Sequence, residues 1–457
     1  MSKETIYKNK YFGTDGFRGE AGITLTADHA YKIGRFAGAY FSSRAKDGRA
    51  RVCIGKDTRR SSYMLEYAMA AGLASSGADV YLLHVTTTPS VSYITKRHSF
   101  DLGVMITASH NPFCDNGIKL IDASGEKLGD AEAALIEKYI DGEAGELPFA
   151  FGADIGAVYD FAEGRGEYVA HLTTLAEHSF EKMKIGLDMA NGAAFAVAGD
   201  VFKALGARVF TLGDAPNGMN INLACGSTHA EMLARLVREK GLDIGFAFDG
   251  DGDRCIAVDE NGAVVDGDKM MYIFAKHMAA HGRLAHGTLA ATVMSNSGFF
   301  ESLARAGISC VQTAVGDRFV YEKMKECGYS LGGEQSGHII FADHASTGDG
   351  ILTAIMLANV LCESGIPLSS LASGAVLYPQ YVKNVRVKDK DAAASDAEVQ
   401  KTVERAEKEI DKKGRILLRK SGTEPVLRIM LEAETEEKCR KYAEEIANVI
   451  EERGYYV

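Results

Sequence analysis

No stretch of the sequence approaches the roughly 20 apolar residues that a helix needs to span a bilayer, so no membrane-crossing helix is expected. The nearest candidate, Ile351 to Leu361, reads as a buried helix. The opening Met1-Ser2-Lys3-Glu4-Thr5-Ile6 lacks the apolar core of a signal peptide, and a cytoplasmic location follows as the expectation. Cysteine is sparse and unpaired in pattern. Eight cysteines lie scattered without a Cys-x-x-Cys pair, which fits reduced thiols better than a disulfide framework or a zinc site. Positive charge is in deficit, and a net charge of -11 argues against non-specific nucleic-acid binding, which needs a basic face. A phosphorylated small-molecule substrate remains open, since a few local arginines suffice for that. What is present is ordinary for a soluble globular protein, 46% hydrophobic and 25% charged. At 457 residues the chain is too long for one core and implies three or four domains.

Two polar segments stand out against this background. Thr107-Ala108-Ser109-His110-Asn111-Pro112 closes the apolar run Leu102-Gly103-Val104-Met105-Ile106, so Ser109 is expected in a tight turn at the end of a strand, with an exposed hydroxyl suited to attack or to carrying a group. Asp249-Gly250-Asp251-Gly252-Asp253-Arg254 places three carboxylates on one side of a glycine-spaced loop, a charge density that calls for a hard cation. One Mg²⁺ held by Asp249, Asp251 and Asp253, with room for a group on Ser109, is the expected arrangement. A calcium EF-hand does not fit. Arg254 stands where that loop needs glycine, and Leu242 to Phe248 and Cys255 to Val258 look like strands rather than helices. Arg254 could neutralise phosphate or brace the acidic loop.

A loose repeat runs through the first three quarters of the chain. Val52-Cys53-Ile54-Gly55, Ile185-Gly186-Leu187-Asp188 and Leu289-Ala290-Ala291-Thr292-Val293 each precede a small-residue turn and a helical stretch. Each is followed by a second strand (Gly77 to Tyr81, Gly206 to Phe210, Gly307 to Val311) and then by one polar loop, at Ser109, Asp249 and Glu334. Three α/β units with ligands at the carboxyl ends of their strands are the simplest account. Linkers are expected near Tyr159, after Arg254 (where a hairpin runs through Asn261-Gly262) and between Ser364 and Tyr378, giving segments 1–158, 159–256, 257–370 and 371–457. The last segment reads as strand, helix (Asp396 to Lys412), strand (Arg415 to Leu418), strand (Val426 to Glu432) and helix (Glu436 to Glu452), a small α+β module.

These two loops, together with Gly333-Glu334-Gln335-Ser336-Gly337-His338 and Arg419-Lys420-Ser421-Gly422-Thr423-Glu424-Pro425, resemble the four signature loops of the α-D-phosphohexomutase superfamily, in the family's order and over essentially the whole chain. Phe12-Gly13-Thr14-Asp15-Gly16-Phe17-Arg18-Gly19, Gln335 and Cys225-Gly226-Ser227-Thr228-His229 resemble its phosphoglucosamine mutase branch. The resemblance implies an α/β fold of three similar α/β/α mixed-sheet domains and a C-terminal α+β phosphate-binding domain, around a central active-site cleft. It implies a Ser109 that rests phosphorylated, and a metal that draws charge off the phosphoryl group in flight. Lys119 and His338 are matched to the acid and base that serve the sugar hydroxyls, and Arg18 reaches in from the first loop. Glu334, Gln335 and Ser336 would grip the sugar. Arg419, Ser421, Gly422, Thr423 and Arg428 would hold the phosphate that is not reacting. Lys420 stands where the family's loop has proline. His110, adjacent to Ser109, is expected to point away and to serve a structural or phosphoserine-orienting role.

The function expected is conversion of glucosamine 6-phosphate to glucosamine 1-phosphate through a 1,6-bisphosphate, with hexosamine phosphate as substrate and no nucleic-acid or membrane partner. A homodimer is compatible with the chain. The alternatives are a mutase acting on mannose or glucose phosphates, a metal-assisted serine phosphatase, and a non-catalytic sugar-phosphate sensor.

Overall fold

The computed structural model describes residues 9–13, 15–411, 413–420 and 425–457. Four sheets organise them. The first has seven strands in the order Phe12–Gly13, Gly16–Glu20, Asp115–Asp122, Leu102–Ile106, Arg51–Lys56, Asp79–Val85, Val158–Asp160. The second runs Val264–Val265, Cys255–Val258, Ile244–Phe248, Lys184–Asp188, Arg208–Leu212. The third runs Ser309–Thr313, Thr288–Thr292, Leu331–Gly333, Ile339–Phe341.

One four-strand unit recurs in all three. The first strand of each unit lies between the second and third, and an antiparallel fourth strand closes the third on its far side. The third strands are Leu102–Ile106, Ile244–Phe248 and Leu331–Gly333, and each is parallel to its first strand. Each polar loop picked out in the sequence joins a third strand to its antiparallel fourth. The loops therefore sit at strand carboxyl ends, where open α/β sheets gather ligands. These central strands are buried on both faces: Leu102–Ile106 and Ile244–Phe248 are wholly buried, which accounts for their unbroken apolar character.

The expected hairpin at Asn261-Gly262 forms, with Cys255–Val258 antiparallel to Val264–Val265 in the second sheet. That strand spans the expected boundary at 256, and Val158–Asp160, paired with Asp79–Val85 in the first sheet, spans the one at 158. The helix Gly350–Ser364 contains the apolar run noted above and is buried along most of its length. Among the described residues no helix is long and apolar enough to cross a membrane.

The described residues fall into two compact units, one comprising those up to Val293 with Val311–Ala372, the other Met294–Cys310 with Ser373–Val457. The second unit contains the expected α+β module. Its antiparallel sheet has the order Gln380–Arg386, Val426–Glu432, Arg415–Lys420, covered by the helices Ala397–Ile410 and Glu436–Glu452. Val385, Val399, Leu427, Ile429, Leu431 and Ile446 form its core. A six-residue helix, Lys390–Ser395, precedes the longer one and is capped by Asp389. The segment around Ser297–Arg305 belongs with this unit because its polar start is bonded there: Ser297 N–H and Oγ–H donate to the buried Glu432 Oε2 at 2.9 and 2.6 Å.

Candidate active site

Ser109 sits in the turn expected for it, immediately beyond the strand Leu102–Ile106, with a left-handed φ of 51°. For a residue with a Cβ that conformation costs about 1–2 kcal/mol, so the surroundings must impose it. Arg59 does so from inside the protein. Its Nη2 donates to Ser109 O and Asn111 O, both at 2.9 Å, and its Nη1 donates to Asp115 O at 3.0 Å and to Pro112 O. Asp57 holds the guanidinium through Nε at 2.7 Å and accepts Thr107 Oγ1–H at 2.8 Å. Asn222 Nδ2 adds a further bond to Ser109 O at 2.9 Å. Gly250 lets the acidic loop close over the turn, since a Cβ there would stand 2.3 Å from Ser109 O.

Two expectations about this turn are corrected. The Ser109 hydroxyl is not exposed: the residue is 1% accessible, because the acidic loop packs onto it. His110 does not point away, for the left-handed step at Ser109 brings its Nδ1 to 3.4 Å from Ser109 Oγ. That nitrogen also receives Arg254 Nη1 at 3.2 Å. Burial, then the Arg254 charge, depresses the His110 pKa to about 4, so the ring is a neutral acceptor at neutral pH.

Ser109 Oγ–H donates to Asp249 Oδ2 at 2.5 Å. Ligand oxygens of Asp249, Asp251 and Asp253 all lie within 4.8 Å of one another, and all three residues are buried. Asp251 Oδ1 and Asp253 Oδ1 are buried without a hydrogen-bond partner among the described residues. Burial, and then the Asp253 and Asp251 carboxylates, push the Asp249 carboxyl well above its ordinary range. Crowded carboxylates with unmet oxygens are what a hard cation with oxygen preference would relieve, so the residues fit a bound divalent ion.

Lys119 takes up part of that charge, at 2.8 Å from Asp251 Oδ2 and 3.4 Å from Asp253 Oδ2. Burial opposes its ammonium, yet Asp15, Asp251 and Asp253 outweigh it and hold Lys119 protonated. Asp253 is likewise pushed up by burial but kept ionised by Lys119 and His338. Arg254 lies against the same loop, its backbone N–H on Asp249 Oδ1 at 3.2 Å. Arg18 pairs with Asp15, and its buried Nε has no hydrogen-bond partner among the described residues.

His338 lies between two acids, with Nδ1 3.7 Å from Asp253 Oδ2 and Nε2 3.5 Å from Asp317 Oδ2. Burial works against the imidazolium, but these acids and Glu334 lift its pKa above the ordinary value. One contact opposes them. Gly348 N–H lies 2.9 Å from Nε2, a bond only an unprotonated nitrogen can accept. Taking a proton at Nε2 therefore means exchanging Gly348 for Asp317.

Glu334 accepts Gly316 N–H at 3.3 Å, and burial raises its carboxyl above the ordinary range. Ser336 Oγ is buried without a hydrogen-bond partner among the described residues. The Gln335 amide already donates to Asp266 Oδ2 at 3.3 Å. Lys119 and His338 line a cavity of about 230 Å³ together with Asp15, Lys127, Asp317 and Arg318. That is below the roughly 300 Å³ at which drug-sized pockets begin, so it suits a compact ligand. Lys127 spans this wall, bonded to Asp15 at 3.0 Å and Asp317 at 2.7 Å.

Arg419 and Arg428 stand opposite each other on adjacent strands of the second unit. Lys420 of the same strand is paired with Asp391. Ser421, Gly422 and Thr423 lie outside the described residues. Sequence reasoning missed Asp57, Arg59, Lys127 and Asp317. Asp57-Thr58-Arg59-Arg60-Ser61-Ser62, a polar run at the end of the first strand, was the available signal for the first two.

Four family profiles match consecutive stretches: phosphoglucomutase/phosphomannomutase α/β/α domain I at residues 9–146, domain II at 166–262, domain III at 266–378 and the C-terminal domain at 383–449. A phosphoglucosamine mutase of Lachnospira eligens is 53% identical over 448 residues, covering 98% of this chain and 100% of that one. The fold resembles a phosphoglucomutase/phosphomannomutase family protein of Burkholderia thailandensis (TM-score 0.79, 24% identity, 98% and 99% of the two chains). It also resembles an Aspergillus fumigatus N-acetylphosphoglucosamine mutase solved with GlcNAc-6P and magnesium (TM-score 0.69, 18% identity, 98% and 96% covered).

Proposed function

This chain belongs to the phosphoglucomutase/phosphomannomutase family, and from that premise we propose that it is a phosphoglucosamine mutase. It interconverts glucosamine 6-phosphate and glucosamine 1-phosphate through a phosphate carried on Ser109 and a 1,6-bisphosphate, in the cytoplasm. The observation that carries this reading is the Ser109 hydroxyl held 2.5 Å from Asp249 at the edge of three buried carboxylates. Asp249, Asp251 and Asp253 would hold one Mg²⁺, whose charge would draw electron density from a phosphoryl group on Ser109.

The chain's own groups supply the rest. Ser109 Oγ carries the phosphoryl group in a turn fixed by Arg59, so the acceptor hydroxyl meets it in one orientation. Lys119, held protonated, is a proton donor and a positive wall to the cavity; Arg18 adds charge beside it, and Arg254 adds charge beside His110 and Asp249. His338 takes a proton at Nε2 by exchanging its bond from Gly348 for Asp317, and gives that proton up as the bond from Gly348 is restored. Glu334 and Ser336 offer an acceptor and a hydroxyl to the sugar, with Gln335 beside them. Arg419 and Arg428, with Ser421, Gly422 and Thr423, are assigned to phosphate binding. The four segments 1–158, 159–256, 257–370 and 371–457 are assigned the phosphoserine, the metal, the sugar and the second phosphate in turn.

The test is product analysis with glucosamine, glucose and mannose 6-phosphates and Mg²⁺. The proposal expects isomerisation with the highest kcat/KM for the glucosamine ester, and some side activity on glucose, because exchanging one hydroxyl for an amine shifts preference modestly. Intact mass should show a phosphate adduct that Ser109→Ala lacks, together with its turnover. Release of free phosphate without isomer would make the chain a phosphatase, and a clear preference for mannose or glucose would move it to another branch.

A further inference from the structure

Away from the acidic loop, a second set of ligand groups converges at the ends of two helices. Helix Gly267–Ala280 carries His277 in its last turn and is capped by His281, and helix Gly350–Ser364 carries Glu363 in its last turn. Residues four apart share one helix face, so both imidazoles meet the same carboxylate. His277 Nε2 lies 2.7 Å from Glu363 Oε2, and His281 Nε2 lies 2.8 Å from Glu363 Oε1. His281 Nδ1–H is spent on His277 O at 2.8 Å, which aims Nε2 at the carboxylate. A nitrogen lone pair and a carboxylate lone pair repel at that distance. Something positive must lie between them, either a proton on each ring or one cation shared by all three groups.

We propose that His277, His281 and Glu363 bind a single divalent transition-metal ion of the zinc class. Their ligand atoms lie within 4.8 Å of one another, and Glu177 and His178 bring a second such group onto the same Glu363. Two imidazoles and one carboxylate are the donors that Zn²⁺, Co²⁺ or Ni²⁺ prefers, whereas Mg²⁺ favours an all-oxygen set such as the aspartate loop. The bond from His281 Nδ1–H to a backbone carbonyl is the outer contact that commonly orients a metal-binding histidine.

The location gives the ion a consequence. At their opposite ends the same two helices seat the functional loops: Gly350 N–H donates to Gly252 O, and Gly267 N–H donates to Gln335 O, each at 3.0 Å. An ion at His277, His281 and Glu363 would pin the far ends of the helices that hold the acidic loop and the Glu334 loop. This site is separate from the proposed mutase chemistry and does not rest on it.

Co²⁺ titration of the full chain in excess Mg²⁺, followed by visible absorption and thermal melting, tests the proposal. Wild type and Asp251→Asn should each take up one Co²⁺ with an imidazole-type spectrum and a raised Tm. In His281→Ala and in the conservative Glu363→Gln, affinity should fall at least about tenfold, with metal-free Tm and Mg²⁺-supported turnover kept. Uptake equal in all four proteins, uptake lost only in Asp251→Asn, or no uptake by the wild type would each overturn it.

Discussion

Arg59→Lys is the sharpest probe of how the Ser109 turn is held. The guanidinium is fully buried and reaches four backbone carbonyls of residues 109–115 while paired to the equally buried Asp57. A lysine keeps the charge but offers one compact ammonium, which cannot satisfy Asp57 and both halves of the turn at once. Each charge-assisted bond lost is worth about 1.5–3 kcal/mol, and these losses are not additive within one cluster, so a destabilisation of about 2–4 kcal/mol is expected for lysine. Alanine, which strands the Asp57 carboxylate, should cost about 3–5 kcal/mol. Either figure is a large part of the roughly 5–15 kcal/mol that holds a typical domain together. Activity should fall further than stability alone explains, because a 1 Å displacement of a reacting group can cost about 100-fold. Urea unfolding and steady-state kinetics on glucosamine 6-phosphate read the two effects separately. The lysine variant should show a lower kcat at nearly unchanged KM. A variant with wild-type urea midpoint and wild-type kcat would refute the idea that Arg59 imposes the geometry of Ser109.

Asp251→Asn removes one of three crowded carboxylates and a partner of Lys119, so Mg²⁺ titration calorimetry should show weaker binding, and kcat should fall even at saturating sugar; unchanged metal affinity would remove Asp251 from the ligand set. Asp349, whose carboxyl burial pushes up to about 6, caps the helix Gly350–Ser364 and accepts Tyr168 Oη–H at 2.5 Å. Its folded pKa lies above the unfolded value near 3.9, so the cost of ionising it is absent below about pH 4 and full above about pH 6, at roughly 3 kcal/mol. Asp349→Asn keeps the capping oxygen, and in EDTA its stability should gain on wild type as pH rises from about 4 to 8; parallel stability curves would contradict this. Burial lifts the Cys53 thiol to about 12 and the Cys225 thiol to about 11, whereas Cys114 is exposed, so iodoacetamide on the native chain should mark Cys114 well before either, as peptide mass mapping would show.

What could be read in the sequence was whatever local pattern encodes. The buried central strands announce themselves as apolar runs, and the strands and long helices of the C-terminal module fall where their periodicity put them. The helix Lys390–Ser395 went unseen because six residues are too few to display a period. The threefold repeat was legible only as paired strands of thin similarity, and its firmest mark, an antiparallel fourth strand behind each polar loop, is a fact of topology rather than of composition. The aspartate loop could be found because its three carboxylates are neighbours in sequence.

Pairings across long stretches of chain leave no such mark. Arg59 lies 50 residues from the serine turn it clamps, and Lys127 lies 190 from Asp317, so neither partner alters the pattern around the other. The misjudged side chains follow from the same limit. An extended turn would have sent Ser109 and His110 apart and left the hydroxyl in solvent. A single left-handed φ at Ser109 reverses the first inference, and the acidic loop packed above it reverses the second. That φ is imposed by Arg59 and Asn222, which reach the turn from other loops. The candidate nucleophile's position is therefore set by groups remote in sequence, and substitutions at Arg59 should change catalysis without replacing any residue that meets the substrate.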